Sequence, residues 1–157
     1  MSILSVKNLS KSFGKLEVLN DISFNVEQGE VISIIGPSGS GKSTLLRCIN
    51  QFEKIDSGEC EICGITMTRN DENGKAVYAD NKTLHDIRLK IGLVFQNFNL
   101  FPHMSVLQNL IDAPMHVLKM KKDEAVAQAR KMLSKVGLAD RENQYPYQLS
   151  GGQAQRV

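Results

Sequence analysis

The sequence predicts an α/β fold, because strand-like and helix-like apolar patterns both occur in its 157 residues. Residues 3–27 alternate between apolar and polar side chains, which is typical of two β-strands joined by a turn at Gly14-Lys15. The apolar run Val31–Ile35 leads directly into a glycine-rich loop and then into a helical segment. Apolar residues also recur at helical spacing in residues 125–136. With 41% hydrophobic residues, the chain can enclose a core.

The predicted strands after the first pair differ in their surroundings. The runs Val31–Ile35 and Lys90–Phe95 are continuously apolar, which predicts strands that are buried on both faces of a parallel sheet. Glu59–Ile65 is predicted to be a shorter strand between Gly58 and Gly64.

The helices are predicted from capping residues and apolar spacing. Ser105 and Gln108 fit the N-cap and N3 positions of a capping box, so a helix is expected from there to about Met120. The spacing in residues 125–136 predicts another helix, which Gly137 ends. The remaining predictions are a helix from the glycine-rich loop to residues 56–58, a short helix at 84–89, and a polar surface insertion at 69–83.

Charge and composition limit the possible function classes. The net charge is +2 and acidic and basic residues are interspersed, which does not favour nucleic acid as a partner. No apolar run reaches the length of a membrane-spanning helix. The N-terminal residues lack the basic and apolar regions of a secretory signal, so a cytoplasmic location is expected.

The cysteines and histidines are not expected to bind a metal. Cys60 and Cys63 form a single C-x-x-C pair, whereas a zinc site needs a second pair of ligands at matching spacing. These two cysteines are instead predicted to be small side chains of a strand in a reducing compartment; the third cysteine is Cys48. The three histidines, His85, His103 and His116, are expected to be solvated or to have packing roles.

The segment GPSGSGKST satisfies the pattern G-x-x-x-x-G-K-[ST] of a phosphate-binding loop between a strand and a helix. Gly39 and Gly41 permit backbone angles that turn successive N–H groups toward anionic oxygens. Lys42 can reach the β- and γ-phosphates, and the Ser43 hydroxyl can bind Mg²⁺. The predicted nucleoside triphosphate site comprises Gly36, Pro37, Ser38, Gly39, Ser40, Gly41, Lys42, Ser43 and Thr44.

Further residues resemble motifs of ABC transporter ATPases. Leu149–Gln153 reads LSGGQ, which looks like the signature motif of that family. Gln96 follows the run Lys90–Phe95, where the family has its Q-loop glutamine, and Phe13 resembles the aromatic residue that stacks on adenine. The segments LVFQNFNLFPHMSVLQNL and YPYQLSGGQAQRV are similar to ATPase subunits of bacterial polar amino-acid importers. Within that group the resemblance favours basic amino acids as cargo, although the ATPase subunit does not itself contact the cargo.

The resemblance implies a P-loop ATPase with an N-terminal antiparallel β subdomain and a helical signature subdomain. The nucleotide-binding part would cover residues 1–98 and the helical part residues 99–157. ATP and Mg²⁺ would be the cofactors, with Ser43 and Gln96 at the metal. The signature residues Leu149, Ser150, Gly151, Gly152 and Gln153 would face the ATP of a second subunit in a head-to-tail homodimer.

The implied partners are those of a membrane transporter. Asn99–Val106 would contact a transmembrane permease subunit, and a periplasmic or extracellular binding protein would take part indirectly. The protein would then lie on the cytoplasmic face of a bacterial membrane, without binding nucleic acid.

In the family, the Walker B Asp, the catalytic Glu and the switch His follow the signature helix, and no earlier run of the chain matches an apolar strand ending in Asp-Glu. The sequence is therefore expected to be truncated after Val157, with part of the core sheet missing and no hydrolysis by the chain alone. Two other functions stay open. A non-catalytic nucleotide-binding or dimerisation module would bind ATP without releasing phosphate. A soluble relative acting on DNA or ribosomes would be favoured by a basic arm, an inserted coiled coil or a tandem cassette.

Overall fold

The computed structural model describes residues 2–95 and 97–157 of the chain. These residues form two compact units, of which the first ends at Leu93 and the second covers Val94–Val157. Each unit has buried apolar residues of its own and therefore its own core.

The first unit contains a five-stranded antiparallel sheet with the strand order β2-β1-β3-β4-β5. Its strands are β1 (Ser2–Phe13), β2 (Leu16–Glu27), β3 (Ser57–Ile62), β4 (Ile65–Asn70) and β5 (Ala76–Tyr78). β1 and β2 form the hairpin predicted from residues 3–27, with its turn at Gly14-Lys15. The prediction of an N-terminal antiparallel sheet is confirmed.

One side of this sheet forms the core of the first unit. Val6 of β1 lies opposite Phe24 of β2 and Cys60 of β3. Helix α1 (Lys42–Ile49) and helix α2 (Asn81–Arg88) add buried side chains to the same cluster. The buried members of the cluster are Val6, Leu9, Leu19, Leu45, Cys48, Ile49, Ile55, Cys60, Ile62, Met67 and Ile87.

The two predicted strands of a parallel sheet are not formed in the described residues. Val31–Ile35 and Lys90–Phe95 have no strand conformation, and the side chains of Ile35 and Val94 are each 92% exposed. The prediction that both runs are buried strands is therefore wrong for this structure. A central parallel strand needs hydrogen-bonding neighbours on both sides, and every strand pair of the described sheet is antiparallel and excludes these runs.

Glu59–Ile65 is also not the single strand that the sequence predicts. β3 ends at Ile62, and Cys63 and Gly64 form a turn with φ of 51° and 76° before β4 begins. Positive φ at two successive residues matches the twist of a tight antiparallel hairpin. Gly64 therefore does not end the predicted single strand but reverses the chain from β3 into β4.

The stretch 69–83, predicted as a surface insertion, contains more regular structure than its composition indicates. It contributes the end of β4, all of β5 and the start of α2. The Asp71 carboxylate accepts hydrogen bonds from the backbone N–H groups of Asn73 and Lys75 at 2.9 and 2.8 Å, which closes the β4–β5 turn.

The second unit consists of α3 (Val106–His116), α4 (Lys122–Lys135), two short 3₁₀ helices (Ala139–Arg141 and Pro146–Gln148) and α5 (Gly151–Ala154). Both of its small cores lie along α3 and α4. They are formed by Val106, Leu133 and Leu138, and by Ile111, Ala125 and Ala129. None of the helices in the described part of the chain has the length and apolarity to cross a bilayer.

The capping box predicted for α3 is confirmed. Ser105 Oγ accepts from the backbone N–H of Gln108 at 3.2 Å, and Gln108 Oε1 accepts from that of Ser105 at 2.7 Å. The helix ends at His116, and it could not continue to Met120 because Lys119 has a φ of 56°, outside the helical region. The next helix, α4, ends where Gly137 takes a φ of 71°, as predicted.

Candidate functional site

The loop Gly36–Thr44 leads directly into α1, whose first residue is Lys42. Gly39 and Gly41 have φ of 82° and 87°, the left-handed region that glycine enters without steric cost. These two reversals bend the backbone before the helix begins. A helix start has backbone N–H groups without intrahelical partners and a partial positive charge. The first turn of α1 contains no acidic side chain, so no carboxylate opposes a bound anion there.

Gly41 also lies against strand β2. A Cβ atom at this position would lie 2.8 Å from the Val18 carbonyl oxygen and 2.9 Å from Leu19 Cδ2. A side chain therefore cannot be accommodated without moving the β2 backbone. This close approach joins the end of the glycine-rich loop to the antiparallel sheet.

The Lys42 ammonium lies over the start of the loop. Its Nζ atom donates to the carbonyl oxygens of Gly36 at 2.8 Å and Pro37 at 2.7 Å, and to Ser40 Oγ at 3.4 Å. The charge is thus held beside the bent backbone, where it can pair with phosphate oxygens. Ser43 is exposed in the first turn of α1, so its hydroxyl is accessible to a cation. The backbone N–H groups and the lysine can donate to phosphate oxygens, and the hydroxyl oxygen can bind Mg²⁺. These groups together fit a triphosphate with Mg²⁺.

The position of the loop depends on how α1 is buried. Leu45, Cys48 and Ile49 face the core of the first unit at helical spacing. Burial raises the pKa of the Cys48 thiol to about 11 and that of Cys60 to about 12. Both thiols are therefore neutral at physiological pH and act as small apolar side chains.

A cleft of about 520 Å³ in the first unit adjoins the loop. It is bounded by apolar side chains of β2, by the loop and by the residues that precede it. The lining includes Phe24, Ile32, Ile35, Gly36, Lys42 and Leu45. The apolar run that was predicted to be a strand thus borders a cleft instead of joining a sheet.

Phe13 ends β1 at the tip of the hairpin, opposite Leu16, and its side chain is 46% exposed. The ammonium of Lys11 lies 4.9 Å from the centroid of its ring. Sequence reasoning did not single out Lys11. The available signal was its position two residues before Phe13, since alternate residues of a strand share one face.

In the second unit, the segment Leu149–Gln153 forms the start of α5. Ser150 is the N-cap: its Oγ accepts from the backbone N–H of Gln153 at 3.3 Å, and Gln153 Oε1 accepts from that of Ser150 at 2.9 Å. Leu149 packs on the core cluster of Val106, Leu133 and Leu138, whereas Gly151 and Gly152 are exposed. The segment is therefore an exposed helix start that is anchored by one leucine.

The segment Asn99–Val106 is held by one side chain of α3. Asn109 Oδ1 accepts from the Phe101 N–H at 2.7 Å, and its Nδ2 donates to the carbonyl oxygens of Phe101 at 3.2 Å and Met104 at 3.1 Å. Phe101 remains 49% exposed. The segment therefore presents an aromatic side chain from a fixed loop.

Other candidate residues lie apart from these groups. All three histidines are exposed. In the described part of the chain, no group of three or more His, Cys, Asp or Glu side chains could hold a metal. The prediction for Gln96 lies outside the described residues.

Comparison with known proteins identifies the family. The family model described as ABC transporter matches residues 19–157. The arginine transport ATP-binding protein ArgV of Corynebacterium glutamicum is 45% identical over 155 residues, a match that covers 99% of this chain and 61% of that protein. The L-cystine transport system ATP-binding protein TcyN of Escherichia coli is 48% identical over 157 residues, covering 100% of this chain and 61% of that protein.

Among solved structures, the chain is similar to the dimeric ATP-binding cassette MJ0796 in a post-hydrolysis state bound to ADP and phosphate. The TM-score is 0.77 and the identity 37%, with 98% of this chain and 66% of that chain covered. The chain spans about 61% of the length of the curated relatives it matches.

Proposed function

We propose, since this chain belongs to the ABC transporter family, that it is the ATP-binding part of an importer in which ATP binding and hydrolysis drive uptake of polar amino acids. One observation carries the proposal. The loop Gly36–Thr44 bends through two left-handed glycines into a helix start, with the Lys42 ammonium held against its carbonyl oxygens. This arrangement suits the anionic oxygens of a nucleoside triphosphate.

In this proposal, each loop residue has a defined task toward ATP. The backbone N–H groups around Gly39 and Gly41 donate to the phosphates, and Lys42 leaves the carbonyl oxygens to pair with the β- and γ-phosphates. Ser43 and Gln96 bind Mg²⁺, which when bound neutralises charge on the phosphates. Phe13 offers an aromatic surface to the adenine.

A second copy of the chain completes the nucleotide site in this proposal. Ser150, Gly151 and Gly152 of one copy face the γ-phosphate bound by the other, using the N–H groups at the start of α5. Their exposure supports this role, because an interface needs these groups accessible. The dimeric state of the similar cassette MJ0796 is consistent with it. ATP then favours the closed pair, and its hydrolysis favours the open one.

A transmembrane permease subunit is the proposed membrane partner, at the cytoplasmic face. Asn99–Val106 is the contact segment, and next to it the second unit has a cleft of about 610 Å³ between α3 and α4. Met104, Leu107, Ile111 and Met115 line this cleft, so an amphipathic segment of the permease would find apolar contacts. A binding protein outside the membrane would deliver the cargo to the permease.

Similarity to the proteins named for arginine and for L-cystine transport supports a polar amino acid as the cargo. A basic amino acid is the narrower proposal. Transport by membrane vesicles that contain the matching permease, measured with competing amino acids, identifies the cargo.

The test of nucleotide binding compares two variants of the chain. Lys42→Ala is expected to abolish ATP binding, because it removes the ammonium that lies against the loop and would pair with the phosphates. Ser150→Arg is expected to leave ATP binding unchanged and to prevent ATP-driven pairing. Calorimetric titration with Mg²⁺-ATP and sedimentation measure the two effects, and Lys15→Ala in the exposed hairpin turn is the control.

Two results would count against the proposal. ATP affinity equal to that of the unchanged chain in Lys42→Ala would remove the loop assignment. Equal ATP-driven dimer formation by Ser150→Arg would remove the signature assignment. Phosphate release measured with permease present distinguishes a hydrolysing subunit from a module that only binds ATP.

A further inference from the structure

Lys11 occupies an unusual position between an aromatic ring and a carboxylate. Its Nζ atom lies 4.9 Å from the centroid of the Phe13 ring and 3.3 Å from Asp56 Oδ1. Its side chain is only 12% exposed. A lysine on a strand of a small sheet would ordinarily extend into water, so this placement restricts a side chain with several rotatable bonds.

Asp56 fixes this arrangement to the end of β1. Its Oδ2 atom accepts from the backbone N–H of Ser12 at 2.7 Å, and its own backbone N–H donates to the Ser10 carbonyl at 3.0 Å. One carboxylate thus binds both the ammonium and the strand that carries the ring. Hydrogen bonds to a charged group are stronger than neutral ones, so the ring and the lysine are held together.

The same end of the hairpin contacts the phosphate loop. Lys11 pairs with Leu19 across the β1–β2 ladder, and Leu19 Cδ2 lies 2.9 Å from where a Cβ atom of Gly41 would be. From Leu19 to Leu16, opposite Phe13, the strand advances about 10 Å. A nucleotide with its phosphates at Gly41 therefore has its base within reach of the hairpin tip.

We propose that Lys11 is a positioning residue for the nucleobase, held in place by Asp56. Lys11 covers one face of the Phe13 ring, so a planar base stacks on the opposite face, and the cation fixes the ring in the orientation that receives it. This inference rests on the proposed function, because it requires a nucleotide whose phosphates lie in the loop. Lys11 and Asp56 thus act on binding of the base, by holding the Phe13 ring, and take no part in binding the phosphates.

The test compares a ligand with a base to one without it. Mg²⁺-ATP and Mg²⁺-tripolyphosphate are titrated calorimetrically into the 157-residue chain and its variants. Lys11→Met keeps the length of the side chain and removes its charge, and we expect ATP binding to weaken about fivefold. Binding of tripolyphosphate should change by less than about twofold.

Three variants complete the design. Lys11→Arg keeps a cation over the ring and should therefore retain ATP affinity. Asp56→Asn retains an acceptor for Ser12 and loses the charge that holds Lys11, so it should weaken ATP selectively, and it serves as well if Lys11→Met does not fold. Lys15→Met removes an exposed lysine from the same hairpin and should change neither ligand.

Each remaining outcome contradicts a particular step. If Lys11→Met and Asp56→Asn weaken ATP and tripolyphosphate equally, the pair has only a structural role and the inference is wrong. If ATP binding is unchanged in both variants, Lys11 does not position the base. If the unaltered chain binds tripolyphosphate as tightly as ATP, the loop assignment survives and the base assignment fails. Binding of neither ligand by the unaltered chain would overturn the proposed function together with the inference.

Discussion

The β1–β2 hairpin and the run Val31–Ile35 are both rich in apolar and β-branched residues, yet their environments are opposite. In the hairpin, Leu9 is fully buried and lies opposite Ile22 on the neighbouring strand. In the run, Ile35 is 92% exposed and has no strand conformation. The hairpin finds its hydrogen-bond partner two residues away, across a turn. The run would need partners that come from distant parts of a chain, and local sequence alone does not supply them.

The largest expected effect tests this contrast with two matched deletions of apolar side chains. Leu9→Ala removes a fully buried side chain and should lower the free energy of unfolding by roughly 2–5 kcal/mol. Ile35→Ala removes a side chain that is already in solvent and should change it by less than about 0.5 kcal/mol. Urea denaturation followed by circular dichroism measures both. Comparable losses in the two variants would mean that Ile35 is buried in solution and that the contrast is wrong.

A second prediction concerns Gly41, where the segment that follows the exposed run meets the hairpin. Gly41→Ala adds a Cβ atom 2.8 Å from the Val18 carbonyl oxygen at a φ of 87°, so both backbone strain and a clash result. We expect a loss of about 2–4 kcal/mol in the free energy of unfolding. Urea denaturation under the same conditions gives the value.

Gly29→Ala is the control for backbone strain. Gly29 has a φ of 83° with no atom within 4 Å of the added Cβ, so only the cost of the left-handed conformation applies, about 1–2 kcal/mol. A smaller loss for Gly41→Ala than for Gly29→Ala would show that the loop does not rest on β2.

The same contrast explains how much of the fold could be predicted from the sequence. The hairpin turn, the capping box of Ser105 and Gln108, and the end of α4 at Gly137 depend on residues a few positions apart, and all were predicted. Composition predicts burial of the runs Val31–Ile35 and Lys90–Phe95. It shows that a segment is apolar enough to be buried, but not that neighbouring strands are present to pair with it.

For the candidate site, the residue types were predictable and their neighbours were not. The motif predicts a role for Gly41 and Lys42, because a phosphate-binding loop needs those residue types at fixed spacing. It does not reveal that Gly41 touches Val18 or that Asp56 holds Lys11 beside Phe13. Those contacts join parts of the chain that are far apart in sequence, and only the fold brings them together.

The smallest expected effect is a dependence of stability on pH that comes from a local cap. Asp80 is the N-cap of α2, and a hydrogen bond from the Thr83 hydroxyl, together with the backbone N–H groups of Thr83 and Lys82, holds its pKa below the ordinary value of 3.8. A carboxyl with a lowered pKa in the folded state stabilises that state above the unfolded pKa. This contribution is lost as the pH falls through the lower, folded value.

The first unit should therefore lose part of its stability as the pH falls from above 3.8 toward the lower pKa of the folded state, measured as a decrease in the urea midpoint. In Asp80→Asn the cap accepts hydrogen bonds without titrating, so the decrease should be smaller. The run Val31–Ile35 contains no titratable side chain, and Ile35→Ala should show the same decrease as the unaltered chain. An identical decrease in the urea midpoint for Asp80→Asn would assign the effect to other carboxylates. The α2 cap would then not be an example of an element that is stabilised by a few adjacent residues.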